Sequence, residues 1–309
     1  MHSRNVSERW RELPSEARSP MWRLVDTLIA GRTAFSRIVP PRLIRVTALL
    51  PGLLLAGSLV TGLLVLLWSS LHAYDSFLAT KGDLSLAQYR DLLSDAQFHT
   101  VLLRSVGMAV LVPAVAIAIA IPYALTLTRI QHRGLRLALL IGVFIPMLTG
   151  DITRTFGLLV TIGPGGPVEW LTGVHLVGEL GGIGLGIGQI LLPAAVVVLL
   201  PAVLRINPEL GAAAATLGAR PLTVFLRITL PQLRIGIVAA YAACFALTMA
   251  AFADPAILGR GLKNFVSNFL QDRYLGLGNP AQGAAIGIVL LLVVSAATAL
   301  ILLLGRRRR

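Results

Sequence analysis

Six apolar runs, each of about 20 residues or more, constrain what this 309-residue chain can fold into. They cover residues 48–71, 101–127, 135–162, 183–204, 235–258 and 281–304. A hydrocarbon core about 30 Å thick is crossed by about 20 helical residues, so each run predicts one transmembrane span. Lipid offers no partner to a backbone N–H or C=O, and long uncharged runs satisfy those groups as helices rather than as alternating barrel strands. The expected fold class is therefore all-α integral membrane, with six transmembrane helices. Composition closes off the soluble alternative. A hydrophobic share of 56% with 13% charged residues would cover a water-soluble domain in apolar patches.

Two runs carry interruptions. Pro146, Gly150, Asp151 and Arg154 lie within the third, and Gly182, Gly184, Gly186 and Gly188 open the fourth. Those glycines have neither a preceding strand nor a following Lys–Ser/Thr pair. They read as close helix packing with four-residue spacing (Gly182/Gly186, Gly184/Gly188), not as a phosphate loop.

The formal net charge is +13, and its location decides its meaning. Arg4, Arg9, Arg11, Arg18, Arg23, Arg32, Arg37, Arg42 and Arg45 precede the first run. Arg129, Arg133 and Arg136 surround the second-to-third connection, Arg205, Arg220, Arg227 and Arg234 the fourth-to-fifth, and Arg306 to Arg309 end the chain. With six spans all of these fall on one side, which the positive-inside rule makes cytoplasmic, with both termini inside. Charge placed this way signals topology and membrane lipid, not nucleic acid.

The expected organisation is a basic cytoplasmic extension (1–47), a transmembrane domain (48–304) and a short basic tail (305–309). The first apolar run starts too far from Met1 for a cleaved leader, so the extension is expected to remain. In it, Met21, Trp22, Leu24, Val25, Leu28 and Ile29 follow helical spacing after Ser19 and Pro20, which predicts an interfacial amphipathic helix over 20–29. A second short amphipathic helix is expected over 85–93. The lone Cys244 excludes a disulfide framework, and His72, His99 and His175 lack ligand spacing, so no metal site is expected.

The connection 205–231 is more structured than a link requires. Asn207 can cap a helix whose first residue is Pro208, and Gly218 can end it in the left-handed conformation. Pro221 can start a second short helix, and Pro231 is expected to block its continuation. Gly211 to Ala215 are small where a solvated helix would show charge, which favours close approach by a partner protein.

At these residues the chain resembles binding-protein-dependent ABC importer permeases, the MetI-like transmembrane domain. Their signature is Glu-Ala-Ala, three residues, Gly, nine residues, then Ile, any residue, Leu-Pro. Ala213, Ala214, Gly218, Ile228, Leu230 and Pro231 stand in that register, while Ala212 occupies the glutamate position. Glu209, one helical turn earlier, is the candidate replacement. The resemblance implies an ATPase-coupling element built from Glu209, Gly211, Ala212, Ala213, Ala214, Gly218, Ile228, Leu230 and Pro231. It further implies two copies of an ATPase subunit holding ATP and Mg, a second homologous permease and a periplasmic solute-binding protein, at a bacterial inner membrane. The chain itself, lacking a Gly-x-x-x-x-Gly-Lys-Ser/Thr loop, is expected to bind no cofactor.

The likeness is closest to the spermidine/putrescine branch, at Leu86, Tyr89, Arg154-Thr155-Phe156, Phe252, Pro255-Ala256-Ile257-Leu258-Gly259 and Gly283-Ala284-Ala285. It implies a polyamine solute, with a phosphonate, an amino-acid derivative or an iron complex as alternatives.

Ionisable groups inside apolar runs complete the reading. A charge near the bilayer centre costs about 2.5 to 3.5 kcal/mol, so Asp151 and Arg154 must face protein or water. Two uses stay open: with Thr153 they line a solute route at a broken helix, or they pair at i, i+3 and hold the break together. Asp254, expected in the outer half of span five, is the second candidate pathway carboxylate. Glu169 and Glu179 are read as external loop acids that attract solute, touch the binding protein or are simply solvated. An intramembrane enzyme using Asp151 and Asp254 lacks a companion motif, and a channel or secondary transporter leaves the structured loop without a use.

Overall fold

The computed structural model describes residues 41–75 and 80–306. The helix expected over 20–29, most of the basic extension and Arg307 to Arg309 lie outside the described residues. The chain divides into two units at Leu64. In the first, the described residues form the N-terminal part of helix α1 (Pro41–Ser70), which carries the first apolar run.

The second unit opens with a hairpin of β1 (His72–Asp75) and β2 (Thr80–Leu84), in which His72 faces Leu84 and Asp75 faces Thr80. Helix α2 (Ala87–Ser94) is the expected short amphipathic helix. There follow α3 (Ala96–Arg129), α4 (Arg133–Leu148), α5 (Asp151–Ile162), α6 (Pro167–Thr172) and α7 (Leu180–Leu204). The connection 205–231 contains α8 (Pro208–Thr216) and α9 (Pro221–Val224), then a π-helical turn, Phe225–Thr229, leading into α10 (Leu230–Met249). Short helices α11 (Ala253–Leu258) and α12 (Val266–Gln271) precede α13 (Pro280–Arg306).

Among the described residues, five helices are long and apolar enough to cross a membrane, and six crossings result if the bent pair Arg133–Leu148 and Asp151–Thr172 counts as one. Packing supports six. Gly184 approaches Met108, while at the other end Ile206 and Asn207 share a cavity with Leu125 and Arg129. Helices α3 and α7 therefore run parallel, and residues 133–179 must make one net crossing between them. Helix α10 returns, and the C-terminal end of α13 comes back beside its start, where Arg234 donates to the Gly305 carbonyl.

Two expected spans need correction. The third is not one helix: Thr149 and Gly150 are extended, and the chain bends by 108° there. Asp151 then stands in the first turn of a new helix, where the exposed N–H groups and helix dipole favour a carboxylate. The fifth ends at Met249 rather than residue 258. Pro255 cannot donate to the Ala251 carbonyl, which accepts the Ser267 hydroxyl instead, and Asn268 Nδ2 donates to the Phe252 carbonyl at 3.0 Å. These bonds turn the chain into α11 and pin α12 beneath it.

The core lies where α3, α7 and α10 meet, with α13 packed on α10. Its buried members mix small side chains (Ala120, Ala195, Ala240) with Ile187, Leu191 and Leu233. Lipid removes most of the hydrophobic drive between spans, so close van der Waals approach has to hold them. Gly236 shows how close this is, since a Cβ there would lie 2.5 Å from the Ala202 methyl. Leu103, Leu111, Ile235 and Leu292 are exposed on the outer faces, as lipid contact requires.

Candidate functional site

Two sites emerge. The first is the connection 205–231. Asn207 Oδ1 accepts the Glu209 N–H at 2.9 Å, and Pro208 opens α8, as the residue pattern requires. Gln232 Oε1 on α10 accepts the Asn207 N–H at 3.4 Å and ties the start of α8 back to the bundle. The C-terminal end of α8 is closed by Gly218 at φ 83°, whose N–H donates to Ala215, with Ala219 donating to Ala214. Only glycine takes that φ without strain.

Pro231 does not stop the helix. Residues 221–249 form one continuous helical element, because the wider turn over Phe225–Thr229, closed by the Leu230 N–H on the Phe225 carbonyl, absorbs the proline. Glu209, Ala212 and Ala213 are exposed, Gly211 and Ala214 half-buried, and Leu217 is 88% exposed. Ile228 and Leu230 are half-buried at the base of the loop, and Pro231 is exposed. Beneath α8 lies a cavity of about 460 Å³ lined by Leu125, Arg129, Gly211, Ala212, Phe225 and Gln232, among others.

The second site is a charge cluster at the break. Arg154 Nη2 donates to Asp151 Oδ1 one turn earlier on α5 and to Asp254 Oδ2 on α11 at 3.4 Å. Thr155 Oγ1 donates to Asp254 Oδ1 at 2.7 Å. Arg154 is 8% exposed and Asp254 3%, whereas the Asp151 side chain is 59% exposed. The structure thus brings together three of the four expected pathway residues. Thr153 is exposed and takes no part in these bonds. With two carboxylates to one guanidinium, the cluster carries one negative charge in excess when all three are ionised.

Room for it comes from α7. A Cβ on Gly186 would lie 2.6 Å from Asp254 Oδ1 and 2.8 Å from Leu258 Cδ1, and one on Gly182 would strike the Leu176 carbonyl. Close packing is what these two glycines do, while Gly188 faces open space. Glu169 is occupied locally, accepting the Gly165 N–H at 2.8 Å and lying 3.1 Å from His175 Nδ1. Among the described residues, no group of three His, Cys, Asp or Glu side chains is placed to hold a metal.

No family model matches the chain. It is 28% identical over 258 residues to the inner membrane ABC transporter permease protein YdcU of Escherichia coli K12, covering 77% of this chain and 80% of that one. The spermidine/putrescine transport system permease protein PotB of the same organism is 26% identical over 235 residues, 74% of this chain and 85% of PotB. The chain is an ABC-transporter permease. The molybdenum transport system permease protein ModB of Mycobacterium tuberculosis is 31% identical over 168 residues, 52% of this permease and 62% of ModB. Two bacterial alginate ABC transporter structures share its fold, at TM-scores of 0.68 and 0.66 and 16% identity, covering 85% and 93% of the permease and 94% and 99% of their own chains.

Residue reasoning passed over three members of the permease's two sites. Thr155 sits one turn past Asp151 on the same face, a spacing visible in the chain. Gln232, just after the Leu-Pro pair, is a buttress to Asn207 that no local pattern announces. Arg129 reads in the chain only as a topology signal, yet it lines the cavity under α8.

Proposed function

We propose that this permease forms half of the pore of a bacterial inner-membrane importer. In this reading it moves a small cationic solute of the polyamine class, received from a periplasmic binding protein. Two copies of a separate ATPase subunit, holding ATP and Mg, drive it, and a second homologous permease completes the pore.

The observation that carries this reading is the connection 205–231. It is a capped helix, a left-handed glycine turn and a second helix, held in the register Ala213, Ala214, Gly218, Ile228, Leu230 and Pro231. Its mechanical logic follows from continuity. Because the helix runs on from Pro221 to Met249, a push on α8 and α9 reaches α10 as a lever, and α10 ends where the chain turns into α11, the helix carrying Asp254. Closure of the ATPase pair would then shift both ends of the lever, opening one face of the pore as the other shuts.

What supports a cationic solute is the cluster at the break. Its one buried cation, Arg154, is already engaged by two carboxylates, and Asp151 keeps an exposed face. An anion would meet net negative charge there. The test is a calorimetric titration of the cognate binding protein. Heat with putrescine or spermidine and none with molybdate is expected. Heat with an anion alone would sink the solute assignment while leaving the importer reading intact.

A further inference from the structure

The cavity under α8 has an unusual charge distribution. Residues 129–136 and 205–234 carry Arg129, Arg133, Arg136, Arg205, Arg220, Arg227 and Arg234 against the single carboxylate Glu209. Glu209 does not line the cavity; Arg129 and Ala212 both do. Arg129 is exposed, and among the described residues it has no ion-pair or hydrogen-bond partner. The remaining lining joins apolar side chains such as Leu125, Phe225 and Ile228 to the neutral amide of Gln232. A group entering this cavity therefore meets an apolar floor, one unneutralised guanidinium and no acid.

Resting on the reading above, we infer that the permease docks its ATPase through a contact of fixed polarity. The ATPase supplies a carboxylate to Arg129, carried beside an apolar side chain that fills the cavity, and the permease supplies the cation. Three observations favour a protein segment of this kind. A guanidinium and a carboxylate pair bidentately, which gives a rigid coupling contact its geometry. Leu210, Leu217, Leu222 and Leu226 are exposed around the same loop, an apolar patch with a basic rim, as interfaces are built. The chain's own N-terminal extension is unsuited, since residues 1–47 hold nine arginines against Glu8, Glu12, Glu16 and Asp26.

The experiment uses the full-length permease co-expressed with its ATPase, purified in nanodiscs, and measures ATPase retention and ATP hydrolysis. Arg129→Glu and Ala212→Glu are each expected to weaken retention about tenfold or more, the first by repelling the partner's acid and the second by adding a carboxylate to the lining that Arg129 shares. Arg129→Lys keeps the charge but loses the bidentate geometry, and is expected to weaken retention less than Arg129→Glu does. Glutamate suits an exposed helix position, so Ala212→Glu should fold, and size-exclusion elution checks it. Tighter or unchanged retention in Ala212→Glu overturns the inference and leaves the importer reading standing. Unchanged retention in Arg129→Glu with loss of co-purified anionic lipid overturns it in favour of a lipid headgroup. Failure of the unaltered permease to retain any ATPase overturns both.

Discussion

Arg154 and Asp254 form a buried ion pair, at 3.4 Å, between a helix that starts at a break and a helix that follows one. The Thr155 hydroxyl holds the other oxygen of Asp254 at 2.7 Å. This pair joins α5 to α11 at the two places where apolar runs fail to continue as helices. It has a structural consequence separable from transport.

Asp254 is the buried one of the two carboxylates on Arg154, and its loss leaves the buried guanidinium only the largely exposed Asp151. Asp254→Asn should therefore lower the thermal midpoint of the detergent-solubilised permease substantially. Asp151→Asn removes a largely exposed carboxylate and should cost about 1 kcal/mol or less. Size-exclusion recovery after graded heating compares the two. Equal losses would show that Asp254 does not hold Arg154 in the folded protein.

Gly186 and Gly188 provide an internal comparison on one helix. Gly186→Ala places a methyl within 2.6 Å of Asp254 Oδ1, so α7 must move from α11 or the aspartate must leave Thr155. Overpacking of this kind costs about 1 to 3 kcal/mol. Gly188→Ala enters open space and should be neutral or stabilise by up to about 1 kcal/mol, through reduced chain entropy. The same heating assay reads both, and equal tolerance would contradict the close approach of α7 to α11.

Much of this was legible in the chain because lipid imposes few choices. Spans follow from run length, and the boundaries of α8 follow from Asn207, Pro208 and Gly218, each of which acts through its own backbone. What failed were predictions that depend on a distant partner. Pro231 looked like a stop, but local geometry cannot say that a π turn five residues long will absorb it. Residues 250–258 looked continuous with the fifth span because their apolar character persists; the turn is set by Ser267 and Asn268, which reach back from α12. The Asp151–Arg154 pair is one of the two uses that its i, i+3 spacing leaves open, whereas the joining of Asp254 to that pair is a tertiary fact, invisible to spacing.

The caps of α8 should set coupling without altering the pore. Asn207→Ala removes the acceptor for the Glu209 N–H and costs about 0.5 to 2 kcal/mol of helix stability. Gly218→Ala forces an alanine to φ 83°, at about 1 to 2 kcal/mol. Both changes should speed amide exchange across residues 208–216 and reduce solute-stimulated ATP hydrolysis several-fold. Exchange confined to its former rate in both variants would mean that the caps do not hold the loop.

Solute recognition turns on Asp151, because it is the member of the cluster that solvent can reach and because its loss is predicted to leave the fold nearly intact. A solute ammonium at Asp151 would compete with Arg154, whose guanidinium still has Asp254 as a partner, so binding need strand no charge. Losing a charge-assisted hydrogen bond costs about 1.5 to 3 kcal/mol, roughly a tenfold to hundredfold rise in the KM for a cationic solute. Asp151→Glu keeps the charge and should retain much of the uptake, whereas Asp151→Asn should not. Uptake of radiolabelled spermidine in cells depleted of other transporters measures the pair of variants. An unchanged KM in Asp151→Asn, with thermal stability also unchanged, would assign the cluster to architecture alone and move the search for the solute contact to other residues lining the pore.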